Sequence, residues 1–248
     1  MTRFSSDELR DALDVAFPRA WRETLDRCVP FYRTLGEAEQ ECFEDKVQHF
    51  VLTTTFSSTR GLEVTDEMKV VVAATACRLT LNLPWAEYTN VGHVTLRADE
   101  SWHHDGSQVI GLGGRWKVTL SWPSLLRGLA EANDGDNVGY HEFAHALDGA
   151  DGSMDGEAQG PPSPIYAVWT HVIASARAEL VQALRSGLAP PLDAYAAESD
   201  VELFAVATEW FFERPHDLRA GMSAIYDLLS AFYRQDPAAR VGVHPAER

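Results

Sequence analysis

The stretch "DNVGYHEFAHALDGADG", residues 136–152, decides how this chain is read. It sets His141 and His145 four residues apart, with Glu142 directly after the first. A helix turns once per 3.6 residues, so positions i and i+4 face the same way and both imidazoles can reach one metal ion. Zinc in a catalytic site usually takes three protein ligands and keeps a fourth position for water. A glutamate beside the first histidine can then take a proton from that water. The plainer alternative is an amphipathic helix with solvent-facing histidines. Val138, Tyr140, Phe143, Ala144, Ala146 and Leu147 argue against it, because they make the helix largely buried. Bare histidines and a carboxylate are costly in such a helix unless paired or bound to metal.

Two histidines do not complete a site. A third histidine in an "HExxHxxGxxH" pattern is absent, since positions 148 and 151 are both Asp. Asp151 has the spacing of a ligand but lacks the glycine turn that would bring it back. A better source is "DAYAAESDVELFAVATEWFFERP", residues 193–215, where Glu202 and Glu209 stand seven apart on one face of an apolar helix with Ala205 and Val206. A glutamate inside a buried helix needs a partner, and two histidines with one glutamate form a known catalytic zinc set. Glu202 lies 57 residues after His145, room enough for a loop and a helix between. Periodicity does not rank Glu202 against Glu209, and ordinary hydrogen bonds or salt bridges are the plainer role for both.

Working outward, the chain has 248 residues, 45% of them hydrophobic and 23% charged, which suits a soluble globular protein with a sizeable core. We expect one compact unit over 1–248, with a helical N-terminal part at 1–85 and a catalytic part at 86–248. The net charge of −16 argues against nonspecific binding of nucleic acid or anionic membrane, both of which need a basic surface. Cys28, Cys42 and Cys77 are far apart and odd in number, so no disulfide framework or CxxC metal pair is visible. With no apolar leader and no long apolar run, the expected setting is the cytoplasm.

Residues 5–55 read as helices, with a capping box at Ser5 and Glu8, a helix start at Pro18, and a stripe of Phe43, Val47, Phe50 and Val51. "TTTFSSTRG" ends that segment. Thr65 caps a helix, "EMKVVVAATACRLTLNL", that is apolar almost all round and therefore central. "NVGHVTLRAD" and "GRWKVTLSW" predict a small mixed sheet of three or four strands. Between them, "GLGG" at 111–114 reads as a hairpin turn, and "HHD" at 103–105 as a solvated turn. Pro123 starts a short helix, Asn137 caps the histidine helix, and further helices follow near 165–186, over 199–213 up to Pro215, and through "AIYDLLSAFYRQ". Residues 149–165 form a Gly-, Pro- and Asp-rich loop next to the histidines. The sum is an α+β chain, mainly helical.

The sequence resembles the Mlc titration factor A peptidases, a zincin group also called glucose-regulated metallopeptidases. The resemblance rests on "GLEVTDEMKVVVAATACRLTLNL", "VTLSWPSLLRG", "NVGYHEFAHALDGADG", "YAAESDVELFAVATEWFFERP" and "LLSAFYRQDP", in that order, across residues of about 20 to 240. It implies a gluzincin whose catalytic core is similar to that of anthrax lethal factor. It also implies one zinc ion held by His141, His145 and Glu202, with Glu142 as general base and Tyr195 aiding catalysis near the metal. Glu209 is then an outer or structural residue, and Asp148 orients a ligand or the active-site wall. The chain departs from the family pattern in the loop after the motif and at Gly139 and Tyr140. Two function classes follow: a zinc peptidase acting on peptides or unfolded protein segments, and a regulatory protein that sequesters an Mlc-like transcriptional repressor with little or no hydrolysis.

Overall fold

The computed structural model describes residues 11–59, 61–83, 91–100, 116–151, 154–158 and 166–240. The expected capping box at Ser5 and Glu8, the "HHD" turn, "GLGG" and the side chain of Asp151 lie outside them. In the N-terminal part, α1 (Arg19–Cys28) follows Pro18, and a 3-10 turn at Pro30–Thr34 leads to α2 (Glu37–Thr53). The stripe of Phe43, Val47, Phe50 and Val51 is buried on α2 as the spacing requires. α3 (Asp66–Leu79) opens on Thr65, whose hydroxyl accepts the Met68 N–H at 3.3 Å, with Asp66 and Glu67 at the positive end of the helix dipole. Every residue from Val70 to Leu79 is buried.

Three strands form the described sheet: β1 (Thr55–Ser58), β2 (Val91–Arg97) and β3 (Trp116–Ser121), in that spatial order and all parallel. The register stacks Phe56 on Val94 and Val118, and places Leu96 beside Leu120. These apolar residues share one face, while Ser57, Thr95 and Thr119 alternate onto the other. Because β2 and β3 run parallel, they are not the two arms of a hairpin. β1 is a strand where the sequence reads as the end of a helical segment. Four Ser- and Thr-rich residues carry too little pattern of their own and are recruited by pairing with β2.

β3 runs straight into α4 (Trp122–Ala130), capped by the Ser121 hydroxyl, and Asn137 caps α5 (Val138–Asp148) by accepting the N–H groups of Gly139 and Tyr140 at 3.1 Å each. The second half is α6 (Tyr166–Arg185), α7 (Asp200–Glu213), α8 (Pro215–Gly221) and α9 (Ser223–Tyr233). Pro215 ends α7 as expected, but it also occupies the first turn of α8, where its missing N–H does no harm. Trp169, Phe204, Phe211, Phe232 and Tyr233 pack ring against ring between α6, α7 and α9. Buried apolar residues from Leu25 to Tyr233 make one continuous cluster. No helix among the described residues is long and apolar enough to cross a membrane.

α5 sits at the centre, against α3, α4, β3 and α7. The glycine at position 139 has a steric role. A Cβ there would stand 2.5 Å from Thr75 Cγ2 and 2.6 Å from Leu125 Cδ1, so any larger residue would push the side chains of α3 and α4 aside. Tyr140 is used as well: its ring lies 5.5 Å from that of Phe212, and its hydroxyl meets the guanidinium of Arg78.

Candidate metal centre

α5 and α7 pack face to face, and that contact brings the expected residues together. His141 Nε2 and His145 Nε2 are 3.0 Å apart. Glu202 Oε2, from the first turn of α7, lies 3.2 Å from the former and 3.5 Å from the latter. Tetrahedral zinc with bonds of about 2.05 Å would hold its donor atoms about 3.3 Å apart, so the triangle has the dimensions of a metal's ligand set. His141 is fully buried and His145 nearly so, while Glu202 keeps 20% of its side chain exposed.

The outer bond of His141 bears on which of its nitrogens can face the triangle as a lone pair. His141 Nδ1 donates to Glu209 Oε1 at 2.8 Å, which leaves Nε2 without a proton in the neutral ring. Oε2 of Glu202, one corner of the triangle, is buried and has no hydrogen-bond partner among the described residues; the same holds for Nδ1 of His145, the ring nitrogen outside the triangle. A proton can bridge two of the three converging atoms but not all three, whereas a cation satisfies them together. The electrostatics agree. Burial opposes a proton on His141, yet the Glu202 and Glu209 carboxylates outweigh it and push the imidazole up to about 10. Burial likewise opposes charge on Glu202, and the two imidazoles hold its carboxyl well below the usual range. The site demands positive charge, and a metal would displace a proton to supply it. The residues present fit a zinc ion.

Glu142 follows on the same helix, 2% exposed, and its charge raises the proton affinity of both His141 and Tyr195. Tyr195 stands in a 3-10 turn, Ala194–Ala197, held by the Asp193 carboxylate accepting the Tyr195 N–H at 2.8 Å. Its ring lies 6.0 Å from that of His141, and its hydroxyl bonds Glu202. Burial and the charge of Glu202 push the phenol up to about 12, so it stays protonated and able to donate. The structure thus brings all five expected residues, His141, Glu142, His145, Tyr195 and Glu202, to one place.

Glu209 is an outer partner: Oε1 receives His141 Nδ1 and Oε2 receives the Asn137 N–H at 2.5 Å. Glu213 continues the line, accepting Asn137 Nδ2 at 2.8 Å and the Gly135 N–H at 3.1 Å. Sequence reasoning missed Glu213, although positions 202, 209 and 213 share one helix stripe and the signal was there to count. Asp148 does not bond His145; its carboxylate turns to the backbone of the following loop and accepts the Gly156 N–H.

A profile described as glucose-regulated metallo-peptidase M90 matches residues 5–234. An uncharacterized protein of Synechocystis sp. is 31% identical over 244 residues, covering 89% of this chain and 85% of its own. A protein named Mlc titration factor A from Klebsiella pneumoniae is 27% identical over 89% of this chain and 87% of its own. One of the same name from Yersinia pestis is 29% identical over 89% and 86%.

Proposed function

Because the chain belongs to the glucose-regulated metallopeptidase family M90, we propose that it is a zinc peptidase cleaving peptides or unfolded protein segments, with His141, His145 and Glu202 as ligands. The observation that carries this reading is the triangle of three lone-pair atoms at 3.0, 3.2 and 3.5 Å. Zinc bound there would lower the pKa of water towards about 7 and polarise a carbonyl. Glu142 accepts the proton of the attacking water and passes it to the leaving amine nitrogen. The Tyr195 hydroxyl donates a hydrogen bond to the carbonyl oxygen as negative charge grows on it. Glu209 keeps the proton of His141 on Nδ1, so that Nε2 stays a donor of electrons. β3 is the outer strand of the described sheet and packs on α5, a position from which its backbone can hold an extended peptide by hydrogen bonds. The setting is the cytoplasm, where Cys28, Cys42 and Cys77 remain free thiols.

The test is metal content and hydrolysis in tag-free protein. The wild type is expected to carry about one zinc per chain, and Glu202→Ala to lose it. Zinc that survives loss of Glu202 would sink the ligand assignment. A second reading is motivated by the name Mlc titration factor A on two relatives: a regulatory protein that sequesters a transcriptional repressor. Capture of a purified Mlc-like repressor that persists in Glu142→Gln, with no peptide cleaved by the wild type, would favour it.

A further inference from the structure

Residues 154–158 belong to a stretch whose Gly-, Pro- and Asp-rich composition reads as a loop next to the histidines. The structure pins them. The Gly156 N–H stands 3.1 Å from both Oδ1 and Oδ2 of Asp148, the last residue of α5, whose side chain is fully buried. The Gly156 carbonyl accepts Trp169 Nε1 at 2.6 Å, from the buried face of α6. Glu157 receives the Thr170 hydroxyl, and Ala158 is fully buried. Gly156 has φ +79, and a Cβ added to it would lie 2.5 Å from the Asp200 oxygen, 2.6 Å from the Asp200 carbonyl carbon and 3.0 Å from the Val201 nitrogen. All three are backbone atoms of the first turn of α7, which cannot swing aside as a side chain would. Position 156 therefore needs glycine twice over, for its left-handed backbone and for its contact.

That first turn is the one that carries Glu202. Ser199 Oγ accepts the Glu202 N–H at 3.1 Å, and Arg177 donates to Asp200 Oδ1 at 3.1 Å and to the Ala197 carbonyl at 3.2 Å. Chain connectivity does nothing to set the distance from the histidines to Glu202, since 57 residues separate His145 from it. A metal site needs its ligands held to about half an ångström. We infer that Asp148 and Gly156 are positioning residues: they strap the end of the histidine helix to the first turn of the Glu202 helix and so fix the third ligand against the first two. This rests on the zinc reading above.

The experiment measures zinc affinity by competition with a chromophoric chelator, and the visible spectrum of the cobalt(II) form, in the full chain. Asp148→Asn presents an amide N–H₂ to a backbone donor and loses one of two acceptors. Gly156→Ala drives a methyl into the Asp200 backbone and changes no charge. Gly187→Ala is the control, because Gly187 also has positive φ (+69) but nothing within 4 Å of an added Cβ. Asp148→Asn and Gly156→Ala are each expected to weaken zinc about tenfold and to shift the cobalt bands. The double variant is expected to be little worse than either, as two ends of one link. Gly187→Ala is expected to lower Tm and leave both readouts alone. If the wild type binds one zinc and both strap variants keep its affinity and cobalt spectrum while Tm falls, the strap is structural only and the inference is overturned. If Gly156→Ala does not fold, Asp148→Asn decides alone. A wild type that takes up no metal overturns the zinc reading itself, which is a different result.

Discussion

α3 and α5 pack against each other in the core and are buried to the same depth, α3 from Val70 to Leu79 and α5 from Gly139 to Asp148. They differ in what burial leaves unfinished. The polar groups of α3 are discharged on the spot. The Thr75 hydroxyl donates to the Val71 carbonyl at 2.9 Å. The Arg78 guanidinium lies 3.3 Å from the centre of the Phe31 ring and donates to Gln235 Oε1 at 3.1 Å. On α5, His141 and His145 turn a ring nitrogen each towards one another and towards a carboxylate from another helix. Burial alone therefore says little about function. A buried set of two imidazoles and a carboxylate whose ligand atoms converge on one point says a great deal.

Two substitutions separate the helices most strongly. Glu142→Gln on α5 is expected to lower peptide turnover by about 10²–10⁴-fold while zinc content stays at the wild-type level. Turnover unchanged in that variant would put the polar residues of α5 in the same structural class as those of α3. On α3, Leu79, which is fully buried, gives the converse. Leu79→Ala is expected to cost about 2–5 kcal/mol of stability in a denaturant titration, with zinc affinity per folded chain unaltered. A parallel loss of zinc affinity would mean that the two helices are not separable in this way.

Glu209→Gln comes next. An amide can accept from His141 Nδ1 or from the Asn137 N–H, but its other end then presents hydrogens to a donor. Zinc affinity is expected to fall about 10- to 100-fold, measured by chelator competition, with far-UV circular dichroism unchanged. Affinity within twofold of wild type would show that the histidine needs no outer carboxylate.

Much of the site was legible in the sequence because helix geometry is local. The i, i+4 histidines, the glutamate between them and the Asn137 cap all follow from 3.6 residues per turn. Glu202 and Glu209 were both legible as buried acids, but their roles were not, since both sit on the same stripe and only the packing of α7 on α5 assigns one to the triangle and the other to Nδ1. Glu213 lies on the same stripe and was open to the same count, but its bond to the Asn137 cap is set by the packing of α7 on α5. The fold was legible in its helices and less so in its sheet. β1 has no pattern of its own, and the parallel pairing of β2 with β3 is a long-range choice that two short strands do not encode. Residues 154–158 were legible as a loop beside the histidine helix but not in their contacts, because composition reports that a segment can bend and not what its backbone touches.

The smallest effect concerns pH and sets Glu213, at the end of α7 against the cap of α5, beside the buried cation of α3. Burial pushes the Glu213 carboxyl up to about 8, against the opposing bond from Asn137. A carboxyl whose pKa is higher in the folded chain than in the unfolded one makes the folded state bind the extra proton. Its stabilising contribution is then full below the unfolded value near 4.5 and is lost as pH rises through about 8. Asp148, pushed up by burial to about 6, has the same sign but finishes earlier. The buried cation of α3 contributes nothing in this window, because burial lowers Arg78 only to about 9. The difference in Tm between wild type and Glu213→Gln isolates the one group. The wild type is expected to lose a few degrees relative to the variant between pH 5 and about 8, with the difference level beyond about pH 9. A difference that stays flat from pH 5 to 8 would mean that Glu213 is ionised throughout, and that the N-terminus of α5 stabilises its charge as a helix dipole can.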